Sequence, residues 1–135
     1  MVYLWGMKMY SIDIIDSQVF TEVYRLTANA AVQRGDDNAV ATSDNEGMLS
    51  RFITEGRRRL VAALGRYSKG GLEYAMPENW LDRSEDINEL AESFLTNYTI
   101  AKWYELNGTG EKFIEAANEA LMVIKDILNR REKPL

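Results

Sequence analysis

Residues from about 84 to 106 and from 111 to 128 each carry apolar side chains at helical spacing, and only Asn107-Gly108-Thr109-Gly110 lies between them. A connection that short turns one helix back along the next, so the C-terminal half of the chain is set for an antiparallel helix hairpin. In the first of these helices Ile87, Leu90, Ala91, Phe94 and Tyr98 make one face, but from Ile100 onward apolar residues surround the axis: Ile100, Ala101, Trp103, Tyr104, Leu106. A helix apolar on all sides is an enclosed one. Asp82, Ser84 and Asp86 are candidate caps at its start. The second helix has an inner face from Phe113 through Ala117, Ala120, Leu121 and Ile124 to Ile127 and Leu128, with Arg130, Arg131 and Lys133 at the negative end of its dipole and Pro134 after them.

The N-terminal half predicts two more helices. From about Asp16 to Val32, Ile15, Val19, Val23, Leu26 and Ala30 recur at helical intervals, with Phe20, Thr27 and Ala31 widening the stripe. The run from Arg34 to Ser43 loses that period and reads as a polar loop. Ser43 and Glu46 then stand at the spacing of a capping box, in which hydroxyl and carboxylate each satisfy a free amide of the first turn. Leu49, Ile53, Gly56, Leu60, Leu64 and Tyr67 follow on one face of this second helix, with Arg51, Glu55, Arg58 and Arg66 on the other. Gly56 lowers helix propensity by about 1 kcal/mol, and its place within the apolar face predicts close approach of another backbone. Ser68-Lys69-Gly70-Gly71 predicts the helix end, through glycines free to adopt left-handed angles. Leu72 to Pro77 reads as a short edge strand or an extended loop, Pro77 arguing against a central strand.

The fold class this predicts is all-α: one four-helix domain over residues 1–135, with an antiparallel C-terminal helix hairpin, a short extended insert between helices two and three, and an extended N-terminal segment over 1–12. A chain of 135 residues buries roughly two-thirds of the surface its unfolded form exposes and needs no covalent staple. The N-terminal run is apolar only as far as Met7, too short for a signal peptide or a membrane span. Met7 and Met9 are alternative starts, which would make part of residues 1–8 extraneous; otherwise Tyr3, Trp5 and Tyr10 dock on the core or on a neighbour.

The chain contains neither histidine nor cysteine. Imidazole bases, thiolate nucleophiles, zinc knuckles, disulfides and iron–sulfur ligation are thereby closed. Carboxylates, lysine, tyrosine, hydroxyls and an oxygen-ligated metal remain as possible chemistry. Asp82, Glu85, Glu89 and Glu92 form a row at spacings of three and four, sharing a helix face on which a divalent ion could bind. Small all-helical nucleotide pyrophosphohydrolases use such rows, and Glu89-Leu90-Ala91-Glu92 matches the first half of their pattern. The second half is missing, since Glu115 is followed three residues on by Asn118 and Glu119 by Met122. A solvated helix face is the simpler reading. Asp36-Asp37-Asn38 and Asp44-Asn45-Glu46-Gly47 lack the alternating ligands of a calcium loop, and Arg34-Gly35-Asp36 reads as chance. Gly108 to Lys112 lacks the first glycine and preceding strand of a phosphate loop.

Charge is segregated along the chain. The total is −5, but residues 51–69 hold Arg51, Arg57, Arg58, Arg59, Arg66 and Lys69 against Glu55 alone, a net +5, and residues 70–105 hold eight acids and two bases, a net −6. A basic helix face is most simply a solvated one; it can also meet the acidic helix of the next copy in a head-to-tail contact that builds rings or filaments, or contact phosphates. Trp80 in the insert and Met122 at the edge of its apolar face add candidate contact residues. The candidate interaction surface thus comprises Arg51, Arg57, Arg58, Arg66, Lys69, Glu85, Glu89, Glu92, Trp80 and Met122.

The layout combines a basic helix ending in Arg57-Arg58-Arg59-Leu60 through Tyr67, an extended insert, the segment Phe94 to Tyr104, and a final helix Phe113 to Leu128 closing in Arg131-Glu132-Lys133-Pro134. It resembles small head-tail connector or adaptor proteins of tailed bacteriophages, and uncharacterised prophage proteins of Bacteroides-type gut bacteria. The resemblance spans about residues 8 to 134 and lies in element order and aromatic placement; the insert here is shorter, and the acidic stretch longer, than in better-known members. It implies a mostly helical, non-enzymatic virion-assembly protein without a cofactor, in the bacterial cytoplasm or the virion. Its partners would be copies of itself or other phage structural proteins, met through loops around 34–43 and 69–82 and through the termini. Two other expectations stand beside it: a carboxylate–metal nucleotide hydrolase using Glu85, Glu89 and Glu92, and a nucleic-acid-binding module using Arg51, Arg58 and Arg66.

Overall fold

The structure, a computed structural model, describes residues 6–34, 40–107 and 111–130. The expectations placed on residues 1–5, on Gly35 to Ala39, on the 108–110 turn and on Arg131 to Leu135 lie outside the described residues. In chain order the elements are strand β1 (Met7–Ser11), helix α1 (Asp16–Arg34), helix α2 (Glu46–Leu64), strand β2 (Ser68–Gly70), strand β3 (Glu73–Pro77), helix α3 (Ser84–Asn107) and helix α4 (Glu111–Arg130). Single 3-10 turns, Ser43–Asn45 and Gly65–Tyr67, open and close α2. The fold is mostly helical, and α3 and α4 form the C-terminal pair with the most extensive contact between any two elements.

A small antiparallel sheet, in the order β1-β3-β2, joins the N-terminal segment to the insert. A strictly all-α fold would lack it. β3 is the middle strand, which corrects the expectation of an edge strand or loop. Pro77 is compatible with that place because it is the last residue of β3, opposite Met7, and the next amide restores the pairing: Glu78 N–H donates to the Gly6 carbonyl at 2.7 Å. Proline lacks only its own donor, so at a strand end it interrupts no ladder. Tyr74, Ala75 and Met76 are all buried, and Tyr10 stacks on Tyr74, directly across the ladder, with ring centroids 5.4 Å apart.

The ends of α2 also differ from expectation. The capping contact falls one residue early: the Asn45 side chain reaches back so that its Oδ1 accepts Thr42 N–H at 3.0 Å, while Asn45 N–H closes the 3-10 turn on the Thr42 carbonyl at 2.9 Å. The intervening 3-10 turn removes the Ser43–Glu46 box, and Glu46 instead accepts the Tyr24 hydroxyl at 2.8 Å. At the other end the terminating glycine is Gly65, with φ +54°, rather than Gly70 or Gly71. Those two, at φ +136° and +55°, make the β2–β3 turn. Only glycine adopts such angles without Cβ strain, and Gly65 stands closer to the last helical turn.

The core lies where α1, α2 and α4 pack on α3. On α1 the buried line is Val19, Val23, Thr27 and Ala31, whereas Ile15, read as part of that face, is 57% exposed. Thr27 is fully buried and ties down the chain at Ala41: its hydroxyl donates to the Val23 carbonyl at 2.8 Å and accepts Ala41 N–H at 3.0 Å. Gly56 is buried in α2 against α3, as its place in the apolar face suggested, but side chains rather than backbone approach it. A Cβ there would stand 2.7 Å from Leu95 Cδ1 and 3.2 Å from Tyr98 Cδ2. The second half of α3 is enclosed, with Ile100, Ala101, Trp103 and Tyr104 all buried.

Candidate interaction surfaces

The basic residues of the candidate surface divide by what the fold does with them. Arg57, half-buried, donates from Nη2 to the Ile14 carbonyl at 2.9 Å and pairs with Asp16, tying α2 to the start of α1. Arg66 donates to the Tyr67 hydroxyl at 3.0 Å and lies 5.1 Å from that ring's centre. Arg51 and Arg58 are exposed on α2, seven residues apart and so about 10.5 Å along one side of the helix. Neither has a hydrogen bond, ion pair or ring contact among the described residues. Ser50, Thr54 and Glu55 complete the shallow groove between them. Lys69 is exposed in β2.

A polar cluster beside this groove was not singled out in the sequence. Tyr98, 2% exposed on α3, donates its hydroxyl proton to Glu55 Oε1 at 2.5 Å and accepts from Arg59 Nε at 3.1 Å. The Arg59 guanidinium lies 5.2 Å from the Tyr98 ring centre, and Lys102 stands 3.6 Å from Glu55 and 3.5 Å from Glu105. The Tyr98 hydroxyl, followed by the charges of Lys102 and Arg59, holds the Glu55 carboxyl below its ordinary value against an opposing desolvation. Burial, and then the bond to Glu55, pushes the Tyr98 phenol up. Desolvation works against the Lys102 ammonium but is outweighed by Tyr98, Glu55 and Glu105, so its pKa rises. These bonds tie α2 to α3 at one point of their crossing. The signal available beforehand was the i,i+4 pair Glu55 and Arg59 on one side of α2; that Tyr98 would reach it required the crossing of two helices.

The acidic row divides similarly. Asp82 caps α3, accepting Ser84 N–H at 2.9 Å and the Ser84 hydroxyl at 2.6 Å, and these bonds lower its pKa. Glu85 and Glu89 are exposed on α3, and Glu92 is half-buried. Glu89 and Glu92 border a groove between α3 and α1 that Glu22 and Leu26 line from the other side. Among the described residues no three carboxylates converge as a metal site needs.

Trp80 belongs to the chain's own interior edge. Half-buried, it meets Tyr67 edge-on with ring centroids 6.3 Å apart and helps enclose a small cavity with Tyr10, Tyr74, Met76 and Ile87. Met122 is the opposite case, 69% exposed on α4 beside Val123 at 36%. No described helix is long and apolar enough to cross a membrane. The chain matches no protein-family model, and comparison with curated proteins and with solved structures returned no similar protein.

Proposed function

We propose that this chain is a non-enzymatic assembly protein of the kind its layout resembles, a head-tail connector of a tailed phage or prophage, acting through contacts between copies of itself and with other structural proteins. One observation carries the reading. Arg51 and Arg58 are exposed and without a partner on α2 among the described residues, while Glu85 and Glu89 are exposed on α3, with Glu92 beside them. Other charged groups nearby, Arg57 with Asp16 and Arg59 and Lys102 around Glu55 and Tyr98, are spent inside the fold. Two complementary faces on different helices suit a head-to-tail contact, in which the α2 of one copy meets the α3–α1 groove of the next; such contacts close into rings when the rotation per copy allows.

Static light scattering over a concentration series tests it. The expected result is a mass that rises with concentration, falls back with added salt because the contact is electrostatic, and drops when Arg58 is changed to Glu. A monomer at every concentration and salt refutes the assembly reading. Salt-dependent binding to DNA or RNA that Arg58→Glu abolishes, without self-association, would replace it with the nucleic-acid reading.

A further inference from the structure

We infer that the outward face of α4 is a two-fold contact surface for a second copy of this chain, with the two α4 helices antiparallel about Met122. α4 turns Ala117, Ala120, Ile124, Ile127 and Leu128 into the fold, yet its outer side carries an apolar centre, Met122 at 69% and Val123 at 36% exposed. Glu115, Asn118, Glu119, Lys125, Asp126 and Asn129 surround that centre, and all are exposed.

Their order selects both the partner and its direction. If a two-fold axis passes through Met122, each residue meets the one equally far on the other side. Glu119 of one copy then faces Lys125 of the other, Asn118 faces Asp126, and Glu115 faces Asn129, each pairing occurring twice. All three pairings are complementary: carboxylate to ammonium, amide to carboxylate, carboxylate to amide. A parallel pairing would oppose Glu119 to Glu119 and Asp126 to Asp126, which is repulsive. Glu119 and Lys125 have no ion pair or hydrogen bond among the described residues, so both are available, whereas Asp126 already pairs with Arg130 of its own copy and contributes less. A surface that is its own complement about one axis is what a two-fold interface requires. One helix against another lies at the small end of stable interfaces, so the dimer should dissociate on the order of 10–100 µM.

This contact uses neither the α2 arginines nor the α3 carboxylates, so the test is made in the Arg51→Glu, Arg58→Glu chain, where the proposed α2–α3 contact is removed. Sedimentation equilibrium should show a monomer–dimer equilibrium there. Glu119→Lys alone and Lys125→Glu alone should each weaken it by about fivefold or more, and the double variant Glu119→Lys, Lys125→Glu should return to within about threefold of the parent, because the swapped pair is again complementary. Met122→Glu should abolish dimerisation while the helical circular dichroism stays unchanged. A parent that remains monomeric to about 200 µM overturns the inference. So does a double variant no tighter than the singles.

Discussion

Gly56 and Gly47 both lie within α2, and the same substitution at the two positions should have opposite effects. Gly56→Ala places a Cβ 2.7 Å from Leu95 Cδ1, 3.2 Å from Tyr98 Cδ2 and 3.7 Å from Phe94 Cε2, where comfortable carbon contacts begin at about 3.5 Å. Leu95 is fully buried, and Tyr98 is fixed by its bonds to Glu55 and Arg59, so neither neighbour yields cheaply. Overpacking of this kind costs about 1–3 kcal/mol and outweighs the gain of about 1 kcal/mol in helix propensity. The net is a loss of roughly 1 kcal/mol. Nothing lies within 4 Å of the corresponding atom at Gly47, so Gly47→Ala should gain about 0.5–1 kcal/mol. Urea unfolding reads both: with a slope of about 1.5 kcal/mol per molar, the Gly56→Ala midpoint should fall by about 0.7 M and the Gly47→Ala midpoint rise by about 0.5 M, at unchanged slope. A Gly56→Ala protein as stabilised as Gly47→Ala would refute the packing of α2 on α3 described above.

Three further outcomes are expected from the same assay. Arg57→Ala should cost about 1 kcal/mol, through its bonds to Ile14 and Asp16, while Arg58→Ala should lie within about 0.5 kcal/mol of the parent; equal effects would remove the distinction between structural and free arginines. Thr27→Val keeps the shape but leaves Ala41 N–H unpaired in the core, a loss of about 1–3 kcal/mol. Tyr98→Phe should cost about 1 kcal/mol at neutral pH, and its effect should shrink in acid. The folded Glu55 carboxyl is held below its ordinary 4.5 by the Tyr98 hydroxyl, so this stabilisation is fully present above that value and is lost as pH falls through the lower folded value. A Tyr98→Phe deficit that grows below pH 4.5 would contradict the assigned bond.

The four helices were legible because each is long enough for its period to outweigh local exceptions, and the hairpin of α3 and α4 because its connection is short. The sheet was harder to read. Its longer strands are five residues each, and the partner of β3 lies more than sixty positions away in β1, a distance over which residue patterns carry no pairing signal. Pro77 gave a misleading one, since its effect depends on whether it stands inside or at the end of a strand. Ser43 is the better cap by residue type, and the Glu46 carboxylate that would have completed its box is bonded to Tyr24 of α1, a contact no local pattern shows. In the candidate surface, the helical period set Arg51 and Arg58 on the outer face of α2, where both are exposed, but could not say what Arg57 would meet. Arg57 and Arg58 are neighbours in sequence, yet one points to the carbonyl of Ile14 and the other to solvent, because adjacent helical residues are turned by about 100°. Trp80, a candidate contact residue by its place in the insert, is half-buried with its ring against Tyr67, a contact between distant residues that no local pattern signals.

The most direct test of assembly through opposite faces is a mixing experiment. One variant carries Arg51→Glu and Arg58→Glu, and a second carries Glu89→Lys and Glu92→Lys. Each alone opposes like charges at the α2–α3 contact, whereas in the mixture every α2 meets an oppositely charged α3. Followed by sedimentation velocity in the Met122→Glu background, which removes the α4 contact, each variant alone should remain monomeric and the equimolar mixture should form larger species that dissociate in high salt. A mixture that sediments as the two monomers would contradict the account.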